Sequence, residues 1–291
     1  EALKRKLNGI EVKLETPVRH IIVKNNVAIG VETDKEKIYG DKIILATGGL
    51  SYPTTGSTGD GYKMAKELGH TIVELRPSLV ALTANENSIN DCIALTGLTL
   101  KNVAIKVFVD NKKVYDDFGE MLFTHFGISG PAVLKISSYL NKALADGEVE
   151  VVLDFLKDKS KDELSQLIRS NSNKTVLNNL KGILPQNFLK QIFEMLNLVE
   201  VKASDLKKED EIKIISYIKE MKLTARETLT IKAAQVTSGG VKVKEINAST
   251  MESKLINNLY FAGEVIDIDA ETGGYNLQMA FSTGYLAGSD F

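Results

Sequence analysis

The stretch GEVIDIDAETGGYN (263–276) follows the apolar run LYFA (259–262) and precedes LQMAFSTGYLAG (277–288). It reads as a buried strand, a glycine turn, an acidic loop, a double glycine and a helix start. Gly263 lets the backbone turn tightly where the strand ends, and the carboxylates of Glu264 and Asp267 suit the hydroxyls of a ribose or ribityl chain. Gly273 and Gly274 let a flat ligand approach the backbone. The amides from Tyr275 onward form the positive end of the next helix, which suits the negative charge of a reduced flavin. A glycine-rich loop closing an ordinary strand–helix unit would use the same residues, so the motif needs a second one beside it.

That second constellation is IILATGGLSYPTTGSTGDGYKMAKELGH (43–70). Ile43, Ile44 and Leu45 form a continuous apolar run, as in a strand buried on both faces, and it breaks at Thr47, Gly48 and Gly49. A polar loop with Gly56, Gly59 and Gly61 leads to Asp60 as the expected cap of a helix. Met64, Ala65 and Leu68 share one face of that helix and Gly69 ends it.

Together ATGGLSYPTTGSTGDGY, FTHFGISGPAVL and the run from VTSGG to YLAG (236–288) resemble the BaiN-like or aminoacetone-oxidase-like family of FAD-dependent oxidoreductases, over most of the chain from about Lys42 to Gly288. The resemblance implies an α/β fold, a partial Rossmann-like FAD domain interrupted by a barrel-like β domain that carries a small helical insert. It implies FAD held by Thr47, Gly48, Gly49, Gly59, Asp60, Gly263, Glu264, Asp267, Gly273, Gly274, Tyr275 and Asn276. It also implies hydride transfer between flavin and a small or steroid-like organic substrate, with NAD(P)H or dioxygen as the other partner. No second nucleotide fingerprint is present, so NAD(P)H is expected only as a transient co-substrate. Such families open with a G-x-G-x-x-G unit that holds the ADP pyrophosphate, and none occurs in this sequence. The chain therefore reads as a truncated form with impaired FAD binding; a fragment that binds partners without a cofactor is the alternative.

Composition agrees with a globular enzyme. With 291 residues, 43% of them hydrophobic, the chain can bury more than one core. A formal charge of −2 offers no bulk basic field for nucleic acid, which also disfavours a tRNA-modifying flavoprotein. Cys92 is the one cysteine, and the three histidines lack metal-ligand spacing, so no metal is expected. No apolar run is long enough to span a membrane and no signal peptide is evident, so a cytoplasmic location is expected. Oligomeric state is left open.

Along the chain, IEVKLET, VRHIIVK and NVAIGVET read as short strands with a turn at Asn25 and Asn26. NVAIKVFV places Val103, Ile105, Val107 and Val109 on one strand face, and DNKK signals a hairpin. Gly130 and Pro131 open a helix running to Leu144. His125 is a weak catalytic candidate, more simply a hydrogen-bonded histidine in a tight turn. Ser160 and Glu163 form a capping box, Pro185 opens a further helix with Leu189, Ile192, Phe193 and Leu196 at helical spacing, and KKEDEIK near Lys207 reads as a solvated helix face. The expected domains are 1–77 and 239–291 for FAD, 78–156 and 222–238 for the β-rich part, and 157–221 for the helical insert. Tyr275, the other weak catalytic candidate, could donate a proton; with Asn276 it could equally pack or cap a helix start.

Overall fold

The computed structural model describes residues 5–289. The chain divides into two compact units. One comprises residues 1–75, 239–269 and 274–291, and the other comprises 76–238 with 270–273.

In the first unit, β1 (Val18–Lys24), β2 (Val27–Thr33) and β3 (Lys37–Tyr39) form an antiparallel sheet. Asn25 and Asn26 both adopt positive φ, the geometry of a two-residue hairpin turn whose twist matches its strands. IEVKLET is not a strand: its residues lack regular structure, and Ile10, Val12 and Leu14 are exposed. Alternation alone does not make a strand where no neighbouring strand accepts its hydrogen bonds. β4 (Ile43–Leu45) pairs in parallel with β13 (Leu259–Phe261), Ile43 opposite Leu259 and Leu45 opposite Phe261. β4 is buried less completely than its apolar run suggests, since Ile44 is exposed. Helix α1 (Asp60–Glu67) buries Tyr62, Met64 and Ala65, and Gly69 follows it with positive φ. Its cap is Gly59 rather than Asp60, which is the first helical residue and instead accepts hydrogen bonds from Thr58 and Lys63.

The chain leaves this unit through β5 (Ile72–Ser78) and returns through β12 (Val236–Val241), and the two strands pair with each other.

The second unit is built on a closed six-stranded barrel. Its strands are β6 (Leu82–Ala84), β7 (Thr99–Val109), β8 (Lys112–Thr124), β9 (Gly127–Ser129), β10 (Val149–Asp154) and β11 (Met221–Thr228). Val103, Ile105 and Val107 line its core as their alternation requires, and the β7–β8 hairpin turns at Asp110 and Asn111, both at positive φ. Helix α2 (Ile89–Ala94) precedes β7, and α3 (Pro131–Asp146) packs on β8. Between the neighbouring strands β10 and β11 the chain makes α4 (Lys161–Ile168), α5 (Val176–Asn179), α6 (Gln186–Met195) and α7 (Lys208–Lys219). The capping box forms, with Ser160 Oγ accepting from Glu163 N and Glu163 accepting from Ser160 N. Phe188, Leu189, Ile192 and Phe193 are buried in one hydrophobic cluster continuous with the barrel interior.

The charged run on α7 is not wholly solvated. Glu211 has no exposed side-chain surface. It accepts from Arg169 through both Nε and Nη2, from Ser165, and pairs with Lys208 at 3.5 Å. Burial alone would push its carboxyl up, but the Arg169 and Ser165 hydrogen bonds outweigh that and hold it below the usual glutamate value.

Candidate functional site

The parallel pairing of β4 and β13 brings the two glycine-bearing motifs together, 220 residues apart in sequence yet adjacent in the sheet. Their carboxyl ends lie side by side, with Ala262 N donating to Leu45 O at 3.1 Å. In open α/β sheets ligands gather beyond such ends. A 3-10 turn at Gly263–Val265 follows β13, and the motif then runs into α8 (Tyr275–Ser289). Thr283 of α8 ties this turn down: its Oγ1 accepts from Gly263 N at 2.9 Å while donating to Met279 O.

The glycines divide into two kinds. A Cβ on Gly48 would sit 2.7 Å from Ser57 Oγ, one on Gly59 2.6 Å from Leu50 Cδ2, and one on Gly61 2.0 Å from Thr47 Oγ1. A side chain at any of these three positions would strike neighbouring atoms of Ser57, Leu50 or Thr47, so local packing alone requires glycine there. Gly274 differs: its φ is +90° and a Cβ there would meet nothing within 4 Å. Gly263 is nearly as open, with Ala280 Cβ at 3.7 Å. Gly273 also has positive φ. Gly274 therefore opens onto space rather than onto protein.

Around that turn the chemistry is acidic. Tyr62 donates its hydroxyl to Glu264 O at 3.2 Å. Burial, and then the charges of Glu264 and Asp267, push the Tyr62 phenol well above its usual value, so it stays neutral. The Asp267 carboxyl is also pushed up, by burial first and by Asp269 second. Carboxylates so placed accept from sugar hydroxyls and repel phosphates. The first hydrogen bond within α8 runs from Gln278 N to Gly274 O, so the helix itself does not use the amides ahead of it. Thr47 Oγ1 is buried without a hydrogen-bond partner among the described residues, an orphan in the loop that the sequence assigns to a ligand. This donor and acceptor set fits the ribityl and ring portion of a flavin.

Tyr275 is exposed, and Asn276 is half-buried. His125 lies exposed in the turn between β8 and β9, with its ring edge-on to Phe126 at 5.1 Å. The expected hydrogen bond to it is absent among the described residues; the turn is closed by its backbone. Among the described residues no group of histidine, cysteine and carboxylate side chains could hold a metal. No helix there is long and apolar enough to cross a membrane.

Sequence reading missed one buried network. His70 Nε2 lies 2.9 Å from Ser253 Oγ and Nδ1 3.2 Å from Glu245 Oε2. Burial pushes the imidazole down, so it is neutral. Ser253 Oγ already accepts from Leu255 N and Ile256 N, so its proton goes to Nε2, and Nδ1–H donates to Glu245. The order matches a hydrolase triad, but Ser253 is buried and its hydroxyl closes a turn.

The model of the HI0933-like protein Rossmann domain matches residues 1–290. The chain belongs to that family. It is 32% identical over 295 aligned positions to the 3-dehydro-bile acid delta(4,6)-reductase of Clostridium scindens, covering 99% of this chain and 71% of the relative. It is 30% identical to the ribosomal RNA dihydrouridine synthase of Escherichia coli, covering 92% of this chain and 65% of the relative. With the synthase of the same name from Haemophilus influenzae it shares 34% identity, covering 84% and 58%. The chain thus spans between about three-fifths and seven-tenths of the length of these curated relatives. The family match and the barrel together give the α/β fold, with a Rossmann-type part and a closed β part.

Proposed function

We propose that the protein is an FAD-dependent oxidoreductase. The observation that carries the reading is the side-by-side placement of the β4 and β13 ends, each followed by a glycine-bearing loop, with Glu264 and Asp267 at the turn. FAD, when bound, supplies hydride chemistry. Glu264 and Asp267 accept from the ribityl hydroxyls. Thr47, Gly48 and Gly49, with Gly59 and Asp60 behind them, shape the loop after β4. Gly263, Gly273 and Gly274 leave room for the ring, and the α8 start beyond Tyr275 and Asn276 stabilises negative charge. In this reading Tyr275, exposed at that start, is the residue that holds a proton, at Oη. The names of the bile-acid and RNA relatives both describe saturation of a ring double bond. We extend that chemistry to this chain: reduction of a carbon–carbon double bond in a small or steroid-like substrate, with NAD(P)H as the transient hydride source.

These 291 residues alone should hold FAD weakly. They contain no G-x-G-x-x-G to bind the pyrophosphate. In addition, α8 exposes Tyr275, Leu277, Phe281 and Tyr285 without one charged side chain along its length, an apolar surface that asks for a cover.

The flavin spectrum of the protein purified from its own cells tests the reading. A yellow protein that releases FAD on denaturation is expected; a colourless one that takes up no FAD on reconstitution overturns it. Titration of the 291 residues by flavin fluorescence quenching should show binding that the double variant Glu264→Ala/Asp267→Ala weakens about a hundredfold, as for two lost hydrogen bonds to charged groups.

A further inference from the structure

The loop 270–273 carries Glu271, and this side chain is gripped by two residues of the second unit. Tyr139 donates its hydroxyl to Glu271 Oε1, and Lys135 Nζ lies 3.2 Å from Oε2. Both grips come from α3, where positions 135 and 139 fall one above the other on a helix face. The grips are themselves held. Lys135 Nζ also pairs with Asp117 Oδ2 of β8 at 2.9 Å, and the Tyr139 ring stacks on Tyr115 of β8, centroids 4.8 Å apart. Tyr115 in turn reaches Asp117 with its hydroxyl at 3.5 Å. Two aromatic rings, one lysine and two carboxylates thus form a closed circuit, with the loop as one member.

A lone exposed ion pair contributes little, because water screens it and two long side chains lose freedom. This arrangement differs: stacking fixes Tyr139 before it bonds, and Lys135 is shared between two carboxylates whose positions are set by separate elements. Tyr139 and then Lys135 hold the Glu271 carboxyl below the usual glutamate value, so it is ionised at neutral pH. Only Thr272 separates Glu271 from the double glycine. Glycines are the most permissive residues of the backbone, so Gly273 and Gly274 cannot by themselves define where α8 begins. Something on the N-terminal side must fix the chain's course.

We propose that Lys135 and Tyr139 are positioning residues that clamp Glu271, and through it set the path of the Gly273–Gly274 turn for the flavin. The inference rests on the flavin reading above and deepens it. Glu271 itself is not a ligand of the cofactor in this scheme; it acts through the backbone that follows it.

The test compares the wild type with Tyr139→Phe, which keeps the stacking and removes the hydrogen bond, with Lys135→Met, and with Lys135→Arg as the conservative exchange. Amide hydrogen exchange at 271–275 without flavin reads the clamp, and FAD titration reads its consequence. Exchange at these amides should rise about tenfold in Tyr139→Phe and in Lys135→Met and return toward wild type in Lys135→Arg, while the barrel amides stay protected. FAD affinity should fall in the same order. Unchanged exchange in both disrupting variants overturns the clamp. Raised exchange with unaltered FAD affinity overturns its role in positioning. If the wild type binds no FAD at all, the flavin reading and the positioning role fall together, and the exchange data still decide whether the clamp exists.

Discussion

The barrel unit and the flavin-type unit solve burial in opposite ways. The barrel closes on itself, so it has no free strand edge, and its interior runs without a break into the helices α4 to α7. The flavin-type unit relies on two parallel strands of three residues each and a smaller cluster around Tyr260, Phe261 and Val265. Parallel strands are normally covered on both faces. Here Ile44 and the outer face of α8 remain exposed. A closed core can stand as architecture; an open one leaves room for chemistry, and its backbone must be held by particular contacts.

The largest effect should come from breaking the closed core. Phe193, fully buried in the helical part of the barrel unit, should cost about 3–5 kcal/mol when changed to Ala, because the hole cannot refill. Urea unfolding followed by tryptophan-free probes such as tyrosine fluorescence and circular dichroism will show one transition moving to lower urea. If the flavin-type unit unfolds separately, its transition should stay where it was.

The ion pair between the buried Glu211 and the partly exposed Arg169 comes next. Arg169→Met leaves Glu211 without its bidentate partner, and the loss of a partner from a buried pair costs about 3–5 kcal/mol where nothing compensates. Arg169 is 41% exposed, and Ser165 and Lys208 remain beside Glu211, so a loss below that range is expected, about 1–3 kcal/mol. Adding Glu211→Gln to Arg169→Met should recover part of the loss, which distinguishes stranded charge from lost packing.

The two kinds of glycine sharpen the comparison inside the open unit. Gly61→Val should disrupt the packing of α1 on Thr47 and Val265 and lower the melting temperature. A Cβ at Gly274 meets no protein atom within 4 Å, but valine cannot easily adopt the φ of +90°, so Gly274→Val should cost about 1–2 kcal/mol and abolish FAD retention. Retained FAD in Gly274→Val would show that the double glycine serves only the turn.

Acid should separate the units by the smallest margin. The His70 imidazole is held below its ordinary value of 6.5 by burial, so the folded state favours the neutral ring. The stability it contributes is present above pH 6.5 and is lost as pH falls through the lower folded value. The unit that holds His70 should therefore weaken as pH drops below about 6.5, and the barrel unit has no buried histidine among its described residues. Urea midpoints at pH 7.5, 6.5 and 5.5 check this, and His70→Gln should flatten the slope.

Much of this architecture was legible because it is local. Alternation in 102–109, the asparagine turns, the Ser160–Glu163 box and the Leu189–Phe193 spacing each express a backbone period or a cap within a few residues. The same logic overreached at IEVKLET, where alternation had no strand to pair with, and at Asp60, where the neighbouring Gly59 takes the cap. It also misread KKEDEIK, because composition cannot reveal that Arg169, some 42 positions away, turns inward to meet Glu211.

The sequence by itself determined the family resemblance, the element types and the two motifs that carry glycines and carboxylates, since these depend on residues near each other in the chain. Only the tertiary structure decided which glycines face protein and which face open space, that His70, Ser253 and Glu245 form one buried network, and that Glu271 is held by Lys135 and Tyr139. Those facts depend on side chains brought together from distant positions, and no local period or propensity encodes a distance across the fold.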